Sequence, residues 1–214
     1  MESRALSEAD KERKYEKILS TTLKMFKRER RLHTAAEICR EVKIAKGTLY
    51  LYFSTKDEIY MELLVRNFRR WHEGLREYIL DQSPDPSTFI VHMCRSLADF
   101  TDFVDLRALA TVILEENLPP ESVRDSRQKN RQETRRTCQL MVRSFPQWTE
   151  EFCEISLRRF YTYGIAHWKE CFPPAAVVAA LPDEYGDMEK LRAEFFSEIL
   201  VMNRLIWGLR SEAG

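Results

Sequence analysis

The segment from Thr34 to Lys56, TAAEICREVKIAKGTLYLYFSTK, constrains the chain more than any other. It holds two short helical patterns joined by a tight connection. Thr34 opens the first, with Glu37 three residues later, the spacing at which a hydroxyl and a carboxylate satisfy the free amides of a helix start reciprocally. Ile38 and Val42 stand four apart, so this short helix has one inward face. Beyond Lys43 and Ile44 a second pattern begins, with Leu49 and Phe53 as its inward pair. That pairing leaves Lys46, Gly47, Thr48, Tyr50 and Tyr52 away from the core. A cation, a bare backbone, a hydroxyl and two phenols on one exposed helix suit gripping phosphates and reaching base edges in a major groove. Two helices joined by so short a turn predict a helix-turn-helix.

The rest of the chain also reads as helical, and no alternating run of useful length predicts a strand, so the fold class expected is all-α. A first helix is expected over residues 8–27, capped by Ser7, with an inward stripe of Tyr15, Ile18, Leu19, Thr22, Leu23 and Phe26. The short pair follows at 35–42 and 46–52. Thr55 with Glu58 repeats the capping-box spacing and opens a fourth helix, expected to reach residue 80. Pro86 suits the first turn of a fifth, over 86–100. A sixth ends before the Pro119–Pro120 pair. A seventh, over 121–144, carries so many charges in its first turns that they should face solvent. An eighth is expected over 147–171, an irregular or partly helical connection over 172–186, and a ninth helix over 187–210. The division predicted is a head of three helices, residues 1–54, followed by a bundle of five or six helices, residues 55–214.

Charge supports that division. The formal net charge is zero, but residues 1–60 carry 14 Lys and Arg against 10 Asp and Glu, and the remainder 20 against 24. Within 24–56 there are nine bases and three acids, a net of +6. A locally basic module on a neutral whole fits contact with DNA at one end. No apolar run approaches the roughly 18 residues of a membrane helix, and the charged amino terminus lacks the apolar core of a signal peptide. A cytoplasmic location is therefore expected. The five cysteines are scattered and odd in number, which predicts reduced, mostly buried thiols and no zinc site. None of the four histidines shows metal-ligand spacing or an evident carboxylate partner, and no phosphate loop, GxSxG or dinucleotide fingerprint occurs. No cofactor is expected, and an all-helical enzyme is the least favoured reading.

The stretch IAKGTLYLYFSTKDEIY resembles the signature of the tetracycline-repressor (TetR-like) family of transcriptional regulators. The family pattern runs roughly V-S-x-G-T-L-Y-x-Y-F-x-S/N-K-E-x-L after the turn. Ile44, Gly47, Thr48, Leu49, Tyr50, Tyr52, Phe53, Lys56 and Ile59 match it or replace it conservatively, and KILSTTLKMF resembles the family's first helix. The likeness covers roughly residues 14–64. Three features depart from it. Ala45 stands where Ser or Thr usually caps the second helix, a loss of about 0.5–2 kcal/mol. Lys43 replaces a frequent Gly, so it must turn left-handed or reshape the turn. The loop over residues 27–33 has no Gly and looks one residue short.

The resemblance implies a homodimeric regulator, expected to be a repressor, that binds a roughly palindromic double-stranded DNA operator. Thr34, Lys43, Lys46, Gly47, Thr48, Tyr50, Tyr52 and Lys56 are the expected DNA contacts. It also implies pairing of subunits through the last two helices, where Gly164 is expected to permit close helix approach. A small apolar or amphipathic effector is expected to release the DNA from a cavity lined by residues including Trp71, Phe89, Met93, Phe100, Phe103, Ile113, Trp148 and Tyr161. Arg95, His92 or Arg159 is expected to supply a polar anchor. The alternative is a family member whose degenerate head acts through a protein partner.

Overall fold

In the computed structural model of the chain, residues 7–208 are described, except for the side chains of residues 109–112. Regular structure among them is helical, without a strand. The first helix, α1 (Glu8–Glu29), starts at Ser7, whose hydroxyl accepts from the Asp10 amide at 3.1 Å. It runs two residues past the expected end because Arg30 supplies the left-handed stop, at φ 47°, with its N–H on the Phe26 carbonyl at 2.7 Å. A loop without glycine places a side chain in that region, at about 1–2 kcal/mol.

Next come α2 (Ala35–Val42) and α3 (Lys46–Tyr50). The expected capping box is complete: Thr34 Oγ1 accepts from the Glu37 amide at 3.3 Å, and Glu37 Oε2 accepts from the Thr34 amide at 2.8 Å. Lys43 turns left-handed, φ 62°, and Ala45 gives α3 no side-chain cap. The third helix ends at Tyr50, short of the expected residue 52.

The remaining elements are α4 (Lys56–Gln82), α5 (Pro86–Asp99), α6 (Thr101–Asn117), α7 (Pro120–Ser144), α8 (Glu150–Cys171), α9 (Ala175–Ala180), α10 (Pro182–Tyr185) and α11 (Met188–Ile206). Thr55 caps Glu58 as expected, at 3.2 Å, but the Glu58 carboxylate reaches back to the amide of Ser54 rather than that of Thr55. Helix α8 begins three residues later than expected, because Thr149 caps it through the Phe152 amide. The connection over 172–186 folds into the two short helices α9 and α10. Residues 209 and 210, expected to finish the last helix, lie outside the described residues. No described helix is long and apolar enough to cross a membrane.

The chain forms two compact units. The first comprises residues 1–66 and 109–127, the second residues 67–108 and 128–214. In the first, Ile18 and Phe26 of α1, Ile38 and Val42 of α2, Leu49 of α3, and Ile59 and Tyr60 of α4 form a core in which none exceeds 1 % exposure. In the second, α11 packs against α5 and α8, with Phe89, Met93, Phe160, Phe195 and Ile199 fully buried. A Cβ on Gly164 meets Leu97 Cδ2 at 2.8 Å. The close approach expected between subunits at Gly164 is thus made within the chain, to α5. Cys39, Cys94, Cys138 and Cys153 are buried free thiols, and Cys171 is half-buried.

Candidate nucleic-acid interface

The helix-turn-helix is set by a few buried apolar contacts. Leu49 is fully buried and Phe53 nearly so, and Phe53 stacks on Tyr15 of α1 with ring centroids 4.8 Å apart. Anchored on that side, α3 turns its other residues outward. Lys43, Lys46, Gly47 and Tyr50 are exposed, while Thr48, Tyr52 and Lys56 are half-buried. The Lys46 ammonium lies 5.9 Å from the Tyr50 ring centroid, a spacing at which the ring face attracts the cation. Gly47 has open space where a Cβ would stand.

Two expected contacts carry partners of their own. Thr34 is exposed, but its hydroxyl donates to Glu37 Oε2 at 2.9 Å and accepts the capping amide. Lys56 Nζ stands 2.5 Å from Asp57 Oδ1. An incoming phosphate must share these groups with a carboxylate. Leu51, which is not among the expected contacts, is 80 % exposed directly after α3. Its place midway between the inward Leu49 and Phe53 was the available signal.

Behind this face, a polar joint ties α4 to the start of α2. The Tyr60 hydroxyl accepts from the His33 backbone amide at 2.7 Å and lies 3.2 Å from His33 Nδ1. His33 Nε2 lies 3.0 Å from Glu29 Oε2, so the carboxylate partner not expected for any histidine exists here. The ionised Glu29 carboxylate can only accept, so His33 Nε2 carries the proton of that contact. Arg28 and then His33 hold the Glu29 carboxyl down at about 2, and Arg31 with the Thr34 amide does the same for Glu37.

The expected effector residues fall into separate groups. In the second unit Trp71, Phe103 and Tyr161 cluster at 5.6–5.8 Å between centroids, with Phe100 on Phe103 at 5.5 Å. Met93 joins through Ser96, whose hydroxyl donates to the Met93 carbonyl and accepts from Trp71 Nε1. Phe89 and Trp148 instead meet across Phe145. Ile113 belongs to the first unit and is 50 % exposed. Of the polar anchors expected, Arg95 and Arg159 are exposed, and His92 stacks on Tyr78 at 3.5 Å. Beside the Ser96 hydroxyl, polar groups at the first cluster include the ring of His72, 5.0 Å from Trp71, and the Tyr161 hydroxyl. That hydroxyl is buried without a hydrogen-bond partner, and burial pushes its ionisation well above the usual phenol range.

A short helix held from behind, with cations and hydroxyls outward, followed by a larger helical unit with an aromatic interior, defines the class of helix-turn-helix regulators. Residues 18–63 match the family model for bacterial regulatory proteins of the tetR family, and residues 65–207 match that for the tetracyclin repressor-like C-terminal domain. The chain belongs to the TetR family of transcriptional regulators. No curated protein matches it in sequence. Its fold is similar to that of the fatty acid degradation regulator FadR from Bacillus halodurans, with a TM-score of 0.55 at 13 % identity over 87 % of this chain and 94 % of that one. It is similar too to a candidate TetR-family regulator from Mesorhizobium loti MAFF303099, with a TM-score of 0.52 at 14 % identity over 92 % and 96 % of the two chains.

Proposed function

We propose that this regulator is a repressor that binds a roughly palindromic operator as a homodimer and is released by a small apolar or amphipathic effector. The observation that carries the reading is the outward row on α3: Leu49 is buried beneath it while Lys46, Gly47 and Tyr50 stand exposed. Lys43, Lys46, Tyr52 and Lys56 grip phosphates, Thr34 adds a hydroxyl at the start of α2, and Gly47, Thr48 and Tyr50 meet base edges. Residues 1–54 carry this function, and 55–214 carry effector binding and dimerisation.

Pairing runs through α8 and α11. Leu205 is 71 % exposed and Val201 56 %, and Ile155, Tyr163, Phe196, Met202 and Ile206 keep part of their surface accessible. This is apolar surface that a two-fold copy covers. The effector site includes the Trp71, Phe103 and Tyr161 cluster, where the unpartnered phenol suits a ligand acceptor. Helix α4 supplies residues to both units, and its displacement by the effector lowers operator affinity.

Selection of bound duplexes from randomised DNA tests the reading. The expected result is a symmetric sequence with half-sites about 34–36 Å apart, one turn of the duplex, bound by a dimer. Tyr50→Ala should lose that binding while keeping the native circular dichroism. Failure to enrich any duplex even at low salt overturns it.

A further inference from the structure

Leu51 is more exposed, at 80 %, than any other large apolar residue among those described. It stands two residues from Leu49 and two from Phe53, both buried, and at 100° per residue that spacing turns it to the opposite side. Gly47 lies one turn earlier on the same side, with open space around it. Thr48 and Tyr50 flank the pair, and the exposed Lys43 and Lys46 lie close by in sequence. A lone leucine set among cations and hydroxyls makes no contiguous apolar patch of the kind that docks a protein. In the major groove, however, the thymine C5 methyl is the apolar group that a base edge presents. The glycine lets the backbone come close, and the leucine one turn on then reaches such a methyl.

We propose that Leu51 is a specificity-determining residue that packs on a thymine methyl in each half-site, so that the operator carries an A·T pair with a fixed strand orientation there. The inference rests on reading α3 as the recognition helix. The test uses the intact chain and the duplex it enriches from randomised DNA. Each thymine is replaced in turn by deoxyuridine, which removes the methyl and keeps every hydrogen-bonding group. One position per half-site should weaken wild-type binding about fourfold, the worth of one buried methyl group. Leu51→Ala should weaken binding to the thymine duplex and be indifferent to that same replacement, whereas Leu51→Met keeps the discrimination. Leu51→Ala binding as tightly as wild type, or losing as much as wild type on methyl removal, overturns the proposal. Enrichment of no duplex by the wild-type chain instead overturns the DNA-binding reading beneath it.

Discussion

Gly47 has no interior reason to be glycine. Its backbone is not left-handed, and an added methyl meets nothing within 4 Å. Gly47→Ala should therefore stabilise α3 by about 0.5–1 kcal/mol, seen as a higher denaturation midpoint. Against a groove that packs on the bare backbone the same methyl is overpacking, so operator affinity should fall by about 1–3 kcal/mol. A variant that binds DNA as well as wild type would remove the close-approach argument. Tyr161 is the converse case, a polar atom without a protein partner. Its hydroxyl is enclosed and unbonded, and an unsatisfied buried donor costs about 1–3 kcal/mol. Tyr161→Phe should then raise the unfolding free energy by about 1 kcal/mol and blunt the response to an acceptor-bearing effector. An unchanged denaturation curve means that the hydroxyl is already satisfied by water. Gly47 was legible in the sequence because its neighbours Leu49 and Phe53 fix the helix face. Tyr161 was legible as an aromatic but not as an orphaned donor, since its missing partner is a fact of three dimensions.

Helices α4 and α7 share a polar seam within the second unit. Arg76 donates to Thr137 Oγ1 at 3.0 Å and to Glu133 Oε2 at 2.9 Å, and Thr137 Oγ1 lies 2.8 Å from His72 Nδ1. With its oxygen accepting from Arg76, Thr137 donates its proton to Nδ1, so His72 is held neutral. Burial, and then Arg76, depress its pKa from 6.5 to about 3. Between those values the unfolded chain binds a proton that the folded chain refuses, so this contribution to stability is full above pH 6.5 and is lost as pH falls toward 3. Unfolding free energy should drop by about 1 kcal/mol from pH 7 to 5.5. His92, whose pKa is lowered by burial and Arg95, adds in the same direction. Denaturant titrations of His72→Gln should lose most of the slope; an unchanged slope would show that His72 is not the group responsible. Glu29 and Glu37, held at about 2, lose their contribution only below about pH 4.5, outside this window. Helix periodicity and caps made most element boundaries readable, since Ser7, Thr34 and Pro86 act locally. The seam was not readable, because His72 and Thr137 are 65 residues apart. The His33–Glu29 pair, four apart in sequence across the end of α1, carried a readable spacing.

Across the whole molecule the charges cancel, with 34 bases and 34 acids. Attraction to DNA therefore comes from local contacts and not from a long-range field, which at 0.15 M salt decays over about 8 Å. Three cations per chain are proposed to meet phosphates, Lys43, Lys46 and Lys56, hence six per dimer. Each neutralised phosphate adds about −0.9 to the slope of log affinity against log salt, so the wild-type slope should be about −5. The three should not be equal. Lys56 already rests on Asp57 at 2.5 Å, so part of its charge is compensated before DNA arrives. Lys43 sits exposed at a left-handed φ of 62°. Lys43→Gly relieves about 1 kcal/mol of backbone strain while removing two charges per dimer, so it should flatten the slope by about 2 and raise thermal stability together. Lys56→Gln should flatten it by less. Fluorescence anisotropy of the selected duplex between 50 and 300 mM salt measures both slopes. A Lys43→Gly variant with the wild-type slope would remove Lys43 from the interface, and equal flattening by the two variants would show that Asp57 gives Lys56 up without resistance.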